Sequence, residues 1–165
     1  MKMIGINGSP ILEGKVWKLL RRVQHESPQL RLVQLTRRNI STVARAVERA
    51  DLVLFATPIR WFNVSALMKA LLEELEEGPD YPLQDKVAYL IALGNEDGGQ
   101  QAINQMFAPL SHMGFWFPPY ASLFVNTSMR SGGEDGWQKN IPQEIASQLR
   151  RLAHVFEAIR DSPNE

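Results

Sequence analysis

Ile4-Gly-Ile-Asn-Gly-Ser-Pro-Ile-Leu-Glu-Gly-Lys15 joins an apolar segment to an amphipathic one through a turn. Met3 to Asn7 is short and apolar and predicts a first strand, and a helix is expected to begin near Gly14. At such a junction several backbone N–H groups and the positive end of a helix dipole point at one place, where an anion is held without side-chain charge. The stretch therefore predicts a phosphate-binding loop.

Composition limits the classes of protein that the chain can belong to. With 165 residues, 44% of them hydrophobic, we expect one domain spanning residues 1–165. Eighteen basic and eighteen acidic side chains cancel, so no nucleic-acid partner is expected. The absence of cysteine excludes disulfides, thiolate nucleophiles and iron–sulfur ligation. Any redox chemistry must therefore come from a bound cofactor.

The sequence also predicts where the protein acts. No basic region followed by an apolar one precedes the first strand, and no apolar run approaches the roughly 20 residues of a membrane span. We expect a cytoplasmic protein with no membrane partner. His25, His112 and His154 have no companion ligands at metal spacing, so no metal site is predicted.

Beyond the first junction, strand and helix patterns alternate along the chain. Strands are predicted at 31–35, 52–56, 87–93 and 121–125, the first at a sheet edge and the next two buried on both faces. Apolar stripes predict five helices. The first carries the stripe Val16, Leu19, Leu20 and Val23, and the fourth has Ile103, Met106, Phe107 and Leu110 on one face. The second helix is predicted to be capped by Ser41, the third to end at Gly78 and Pro79, and the fifth to start near Asn140. Residues 126–137 are predicted to form a long mobile loop.

This alternation predicts an α/β fold with a doubly wound parallel sheet. In such sheets, ligands bind outside the carboxyl ends of the strands, where the strand order reverses. The loops at residues 8–14, 57–64 and 94–99 follow strands one, three and four. We expect them to form one site for a small-molecule substrate.

Three nucleotide or phosphate sites do not fit the first loop. The dinucleotide fingerprint Gly-x-Gly-x-x-Gly is absent, and five residues instead of four separate Gly8 from Gly14, which excludes a nucleoside-triphosphate loop. Phosphate-accepting receiver domains have acidic residues after strand one, an Asp after strand three and a Lys after strand five. Asn7, Thr57 and Asn126 occupy those places here.

Three blocks together resemble the NADPH-dependent FMN reductase family. Gly8-Ser-Pro-Ile-Leu-Glu-Gly-Lys-Val16 is similar to its FMN-phosphate loop. Its second block, which contains the flavin-edge loop, is similar to Ala50-Asp-Leu-Val-Leu-Phe-Ala-Thr-Pro-Ile-Arg-Trp-Phe-Asn-Val-Ser-Ala-Leu-Met-Lys69, and its glycine-rich third loop to Gly94-Asn-Glu-Asp-Gly-Gly99. The resemblance implies a flavodoxin-like five-stranded parallel sheet of order 2-1-3-4-5. It also implies an NAD(P)H-dependent oxidoreductase that passes hydride or electrons from nicotinamide through noncovalent FMN to a flavin, quinone or similar acceptor.

The resemblance assigns cofactor-binding residues but no catalytic side chain, since the flavin itself carries the hydride. The assigned residues are Ser9, Pro10, Gly14, Lys15 and Val16 for the phosphate, Pro58, Ile59, Arg60, Trp61, Phe62 and Asn63 for the flavin edge, and Gly94, Asn95, Glu96, Gly98 and Gly99 for the pyrimidine side.

Departures from the family pattern leave alternatives open. Lys15 stands where the family has Asn and Val16 where it has a phosphate-binding Thr or Ser, while Arg60 replaces a Tyr and Phe62 a Gly. Phe62 either contacts the flavin or fills its place, and in the second case the protein has this fold but has lost flavin binding. A further alternative is an FMN-binding electron carrier or sensor. Trp61 and Phe62 also suit a subunit interface, and we expect a homo-oligomer, either a dimer or a tetramer.

Overall fold

The computed structural model describes residues 1–76, 83–95, 97–127 and 140–160. In these ranges five strands alternate with five helices. The strands are β1 (Met3–Asn7), β2 (Leu30–Gln34), β3 (Leu52–Pro58), β4 (Val87–Gly94) and β5 (Ser122–Asn126). The helices are α1 (Lys15–Glu26), α2 (Ile40–Glu48), α3 (Ala66–Glu76), α4 (Gly99–His112) and α5 (Ile141–Arg160).

The five strands form one parallel sheet in the order β2-β1-β3-β4-β5. The predicted α/β fold and strand order are confirmed. The chain moves from β1 outward to β2 and then returns past β1 to β3, so the strand order reverses between β1 and β3. A crevice is expected at such a point, outside the carboxyl ends of the strands.

Alternate residues of β3 serve two separate cores. Val53 and Phe55 pack with α2, α3 and α4, whereas Leu52 and Leu54 pack with α1 and α5 on the opposite face. All four side chains are fully buried, as the two-faced apolar pattern predicts. Burial of each such side chain contributes about 1.5–3 kcal/mol, so the central strands fix the position of the loops that follow them.

The first helix and the edge strand also agree with the predictions made from the sequence. The predicted stripe of α1 is buried, and it faces Ile145 and Leu149 of α5 across one core. The strand β2 lies at the edge of the sheet, where Arg31 is exposed.

Two local predictions were wrong. Ser41 lies inside α2, and the residue that precedes the helix is Asn39, whose Oδ1 accepts a hydrogen bond from the Thr36 N–H at 2.8 Å. Phe107 is 44% exposed and packs against Phe117, with ring centroids 4.6 Å apart. Ile103, Met106 and Leu110 fill the buried face of α4. Phe107 follows Met106 and is rotated from it by about 100° around the helix axis, toward the edge of that face.

Several predicted features fall outside the described ranges. They are the helix stop at Gly78 and Pro79 and all of the predicted mobile loop beyond Thr127. Asn126, the first residue of that predicted loop, is the last residue of β5. In the described part of the chain no helix is long and apolar enough to cross a bilayer.

Tyr89 of β4 gives the fold a measurable dependence on alkaline pH. Burial, with a smaller contribution from the charge of Glu144, raises the pKa of the Tyr89 phenol to about 12. The folded state therefore keeps this proton at a pH where the unfolded chain, with a phenol pKa of about 10, loses it. The resulting stabilisation is present below pH 10 and is lost as the pH rises toward 12.

We predict that urea denaturation will show this loss. Between pH 9 and pH 11 the free energy of unfolding should fall by about 1.4 kcal/mol more in the wild type than in Tyr89→Phe, which lacks the titrating phenol. Other groups titrate in both proteins and cancel in the comparison. Equal losses in the two proteins would contradict the raised pKa.

Candidate functional site

The loops that follow β1 and β3 are joined at Gly8. Its N–H donates to the carbonyl of Ala56 at 2.8 Å, and its own carbonyl accepts a hydrogen bond from Ser65 Oγ at 2.5 Å. A Cβ at this position would lie 2.8 Å from the Met68 methyl carbon and 3.1 Å from the Ala56 carbonyl oxygen. A Cβ here would therefore force the Met68 side chain to move and would crowd the Ala56 carbonyl, so glycine suits this close approach of the first loop to β3 and α3.

Side chains from its surroundings hold the first loop in shape. Ser9 is buried, its N–H donates to Asn7 Oδ1 at 3.0 Å, and its hydroxyl oxygen accepts the Ile11 N–H at 3.1 Å. Gln34 of β2 donates to the Ser9 carbonyl at 2.7 Å. Ser9 is thus a turn residue in this structure, and Pro10 lies exposed beside it. The loop is thus held by hydrogen bonds within the protein.

The N-terminus of α1 opens at the end of this loop. Gly14 precedes the helix without a side-chain cap, and the first helical hydrogen bond runs from the Lys18 N–H to the Gly14 carbonyl at 3.0 Å. Within the described residues, the N–H groups of Lys15, Val16 and Trp17 therefore have no backbone acceptor. The Val16 side chain is buried in the core, so only its N–H is available to a ligand.

The Lys15 ammonium group links three segments. Its Nζ donates to Asn95 Oδ1 at 3.1 Å and to Thr127 Oγ1 at 3.2 Å, and the Thr127 hydroxyl donates to Asn95 Oδ1. These partners are neutral, and the ion pairs of the described residues involve other side chains. Among the described residues no carboxylate therefore pairs with this cation, which belongs to the first residue of α1, where the helix dipole disfavours positive charge unless an anion is also present.

Residues Arg60 to Asn63 form a tight hairpin turn after β3. The Arg60 N–H donates to the Asn63 carbonyl at 2.8 Å, and the Asn63 N–H donates to the Arg60 carbonyl at 2.9 Å. Trp61 and Phe62 between them have φ values of 48° and 63°, as in a type I′ turn. The turn leaves Trp61 91% exposed and Phe62 about half exposed.

Gln105 of α4 fixes this hairpin to the body of the protein. Its Nε2 donates to Asn63 Oδ1 at 2.9 Å and to the Phe62 carbonyl at 3.3 Å, and its Oε1 accepts the Val64 N–H at 3.2 Å. One amide side chain thus contacts the second half of the turn and the residue that follows it. The position of the two aromatic residues depends on it.

Two glycines allow the third loop to approach the hairpin. A Cβ on Gly94 would lie 2.9 Å from Ile59 Cδ1, and a Cβ on Gly98 would lie 2.8 Å from Phe62 Cα. Gly98 also has a φ of +94°, which side chains rarely adopt. Gly99 packs against the Phe124 ring, where any side chain would overlap the ring atoms. Gly98 and Gly99 are buried behind the surface of the site, and Glu96 lies outside the described residues.

A cavity of about 370 Å³ lies between the hairpin and the third loop. It is lined by Ile59, Arg60, Trp61, Phe62, Gly94, Asn95 and Asp97. We call it the ring cavity. Its volume is within the range of about 300–1,000 Å³ typical of small-molecule sites. Phe62 forms part of the wall and leaves this volume open.

The structure brings most of the predicted residues to one end of the sheet. Lys15 reaches the ring cavity through Asn95, while Pro58 ends β3 and Asn63 closes the hairpin. Sequence reasoning did not single out Asp97, Gln105 or Thr127. Asp97 was detectable inside the third loop and Thr127 as the residue after β5, whereas nothing local marks Gln105.

Comparisons with known proteins identify a flavin-related family. The model of the NADPH-dependent FMN reductase family matches residues 1–129. The 8-demethyl-8-aminoriboflavin-5′-phosphate synthase of Streptomyces davaonensis is 29% identical over 85 residues, which are 47% of this chain and 33% of that enzyme. The match thus spans a third of the length of that curated relative.

Solved structures share the fold at low sequence identity. RosB with a bound 8-demethyl-8-formylriboflavin-5′-phosphate intermediate has a TM-score of 0.79 and 17% identity, covering 99% of this chain and 82% of its own. The apo form of the NADH:FMN oxidoreductase EMOB has a TM-score of 0.62 and 22% identity, covering 88% of each chain. A Fusobacterium nucleatum flavodoxin bound to flavin mononucleotide has a TM-score of 0.65 and 15% identity, and the match covers 94% of this chain and 99% of the flavodoxin. The fold is therefore flavodoxin-like. Because the family model matches residues 1–129 of 165, the chain belongs to the NADPH-dependent FMN reductase family.

Proposed function

We propose that this protein is an NAD(P)H-dependent oxidoreductase that binds FMN noncovalently and passes hydride or electrons from nicotinamide to a flavin, quinone or similar small acceptor. The observation that carries the proposal is the Lys15 ammonium group. It lies at the N-terminus of α1 with only neutral partners among the described residues, and one of those partners, Asn95, lines the ring cavity.

The N-terminus of α1 fits a phosphate group. The N–H groups of Lys15, Val16 and Trp17 are open donors, and the helix dipole favours negative charge at this end. A phosphate there would also balance the charge of Lys15, which replaces the hydroxyl donor that Val16 cannot supply. Hydrogen bonds to a charged group contribute about 1.5–3 kcal/mol each.

The ring cavity fits a flat aromatic ligand attached to that phosphate. Trp61 and Phe62 offer aromatic surface on one side, and Gly94 and Asn95 lie on the other. Aromatic side chains and close backbone approach both suit a planar ring system. The remaining exposure of Trp61 also supports our expectation of a homo-oligomer, because an aromatic residue this exposed favours an interface.

FMN, when bound, supplies the hydride and electron transfer that no side chain of the site provides. The residues of this chain would bind the cofactor and orient it. Lys15 and the first turn of α1 hold the phosphate, the hairpin and the third loop hold the ring, and Gln105 holds the hairpin. No general acid or base is required for hydride transfer between two cofactors.

A second candidate function treats FMN as a substrate that is chemically changed. The identity of 29% over 85 residues with the 8-demethyl-8-aminoriboflavin-5′-phosphate synthase favours it. The two functions differ in the flavin that is recovered. Mass spectrometry of flavin extracted after turnover shows unchanged FMN in the first case and a modified flavin in the second.

Two measurements test the proposed function. FMN added to the purified protein should show quenched flavin fluorescence, and the complex should then oxidise NADPH or NADH in the presence of a quinone. Absence of quenching up to about 100 µM protein would reject FMN binding. Quenching without reduction of the flavin by either nicotinamide would leave the electron carrier or sensor and reject the reductase.

We predict that Lys15→Met weakens FMN binding about tenfold, because it removes the cation next to the phosphate. Riboflavin, which lacks the phosphate, should lose less than about twofold. Fluorescence titration of both flavins measures this difference. Lys18→Met, an exposed lysine one turn along α1, is the matched control and should change neither affinity. Equal losses for FMN and riboflavin in Lys15→Met would show that the phosphate lies elsewhere.

We also predict that Gln105→Ala loosens the hairpin. The amides of Arg60, Asn63 and Val64 should exchange hydrogen about tenfold faster, which corresponds to roughly 1.4 kcal/mol of lost protection. FMN affinity should fall in parallel, because the ring contacts depend on the turn. Gln101→Ala, an exposed glutamine on the same helix, should leave exchange and affinity unchanged. Unchanged exchange at the hairpin in Gln105→Ala would exclude the anchoring role.

A further inference from the structure

A second cavity of about 760 Å³ lies beside the ring cavity, on the side of β1 and β2. Its wall includes Arg37 from the link between β2 and α2, and Arg60 from the hairpin. Its apolar surface is formed by Pro10, Leu35, Ile40 and Leu67. Arg60 lines both cavities, so a ligand in the second cavity adjoins the flavin site proposed above.

The charges around this second cavity are of one sign. Arg37 and Arg60 are exposed, and the ion pairs among the described residues involve other side chains. No Asp or Glu is among the residues that line the cavity. Among the described residues, two arginine side chains thus line a common space, and neither forms an ion pair with a carboxylate.

The N-termini of two helices add to the positive electrostatic potential of this cavity. Ile40 begins α2 and Ala66 begins α3, both residues line the cavity, and neither helix has an acidic residue in its first turn. Helix N-termini and arginine forks both favour phosphate oxygens. The apolar surface next to them suits an aromatic or aliphatic body. The cavity therefore matches a molecule that carries both a phosphate and an apolar ring.

The geometry points to a phosphate-anchoring site for the second substrate, held between Arg37 and Arg60. This inference rests on the proposed function, in which a second molecule must approach the flavin. Two sources share the chemistry: the phosphates of a nicotinamide dinucleotide, and the phosphate of a flavin nucleotide that serves as acceptor. Arg60 stands where the resemblance expects Tyr, and Arg37 lies in the link between β2 and α2.

Calorimetric titration of the full chain, before and after loading with FMN, tests the inference with Arg37→Gln. Arg37 is chosen because Arg60 also lines the ring cavity. Binding of NADP⁺ and of inorganic pyrophosphate should weaken about tenfold, while the affinity for the first equivalent of FMN should change less than about twofold. Arg38→Gln is the matched control, since Arg38 is the exposed neighbour that does not line the cavity, and it should bind all three ligands as the wild type does.

The outcomes separate the two sources and the two proposals. If Arg37→Gln binds NADP⁺ more weakly but NAD⁺ as tightly as the wild type, the extra 2′-phosphate lies at Arg37. If the affinities for NADP⁺ and NAD⁺ fall equally, the pyrophosphate lies there. Unchanged dinucleotide binding with a raised KM for FMN but not riboflavin as acceptor assigns the site to the acceptor. Wild-type behaviour of Arg37→Gln in all these assays overturns the inference. If FMN does not bind but Arg37→Gln still loses NADP⁺ affinity, the anion site stands and the proposed flavin function fails.

Discussion

The hydrogen bonds of Gly8 set the geometry on which both cavities depend. Its N–H binds β3 and its carbonyl binds Ser65 at the start of α3, so the loop after β1 cannot move independently of the neighbouring strand. The N-terminus of α1 is thereby placed beside the hairpin, and the N-terminus of α3 beside Arg37. A side chain at residue 8 would strain this arrangement, because Met68 would have to move and the Ala56 carbonyl would lie only 3.1 Å from the Cβ.

The fold followed from the sequence because its decisive signals are local. Segments 52–56 and 87–93 are apolar on both faces, which only a central parallel strand satisfies, and the helices between them carry clear stripes. The errors arose where tertiary contacts outweighed the local pattern. Phe107 packs on Phe117 because the segment before β5 passes that side of α4. Asn39 precedes α2 in place of Ser41 because its side chain also bonds the end of β2.

The candidate site was only partly predictable for a related reason. Loops after adjacent parallel strands end at the same edge of a sheet, so the convergence of the three loops follows from topology. Gln105 reaches the hairpin across 42 residues of sequence and Thr127 reaches Lys15 across 112, and no periodicity carries such information. The turn at Trp61 and Phe62 was also beyond sequence rules, because turns of this type are normally built with Asn-Gly.

Those two aromatic residues occupy backbone conformations that cost about 1–2 kcal/mol each for a residue with a Cβ. Selection for thermal stability alone would replace them with Asn-Gly, which forms the same turn without the penalty. A laboratory evolution experiment that rewards only heat resistance should therefore converge on that exchange and discard the rings. Retaining Trp61 has a cost in stability that packing within the described residues does not offset, because its side chain is 91% exposed. This makes the turn a sensitive indicator of whether a variant has been selected for folding or for function.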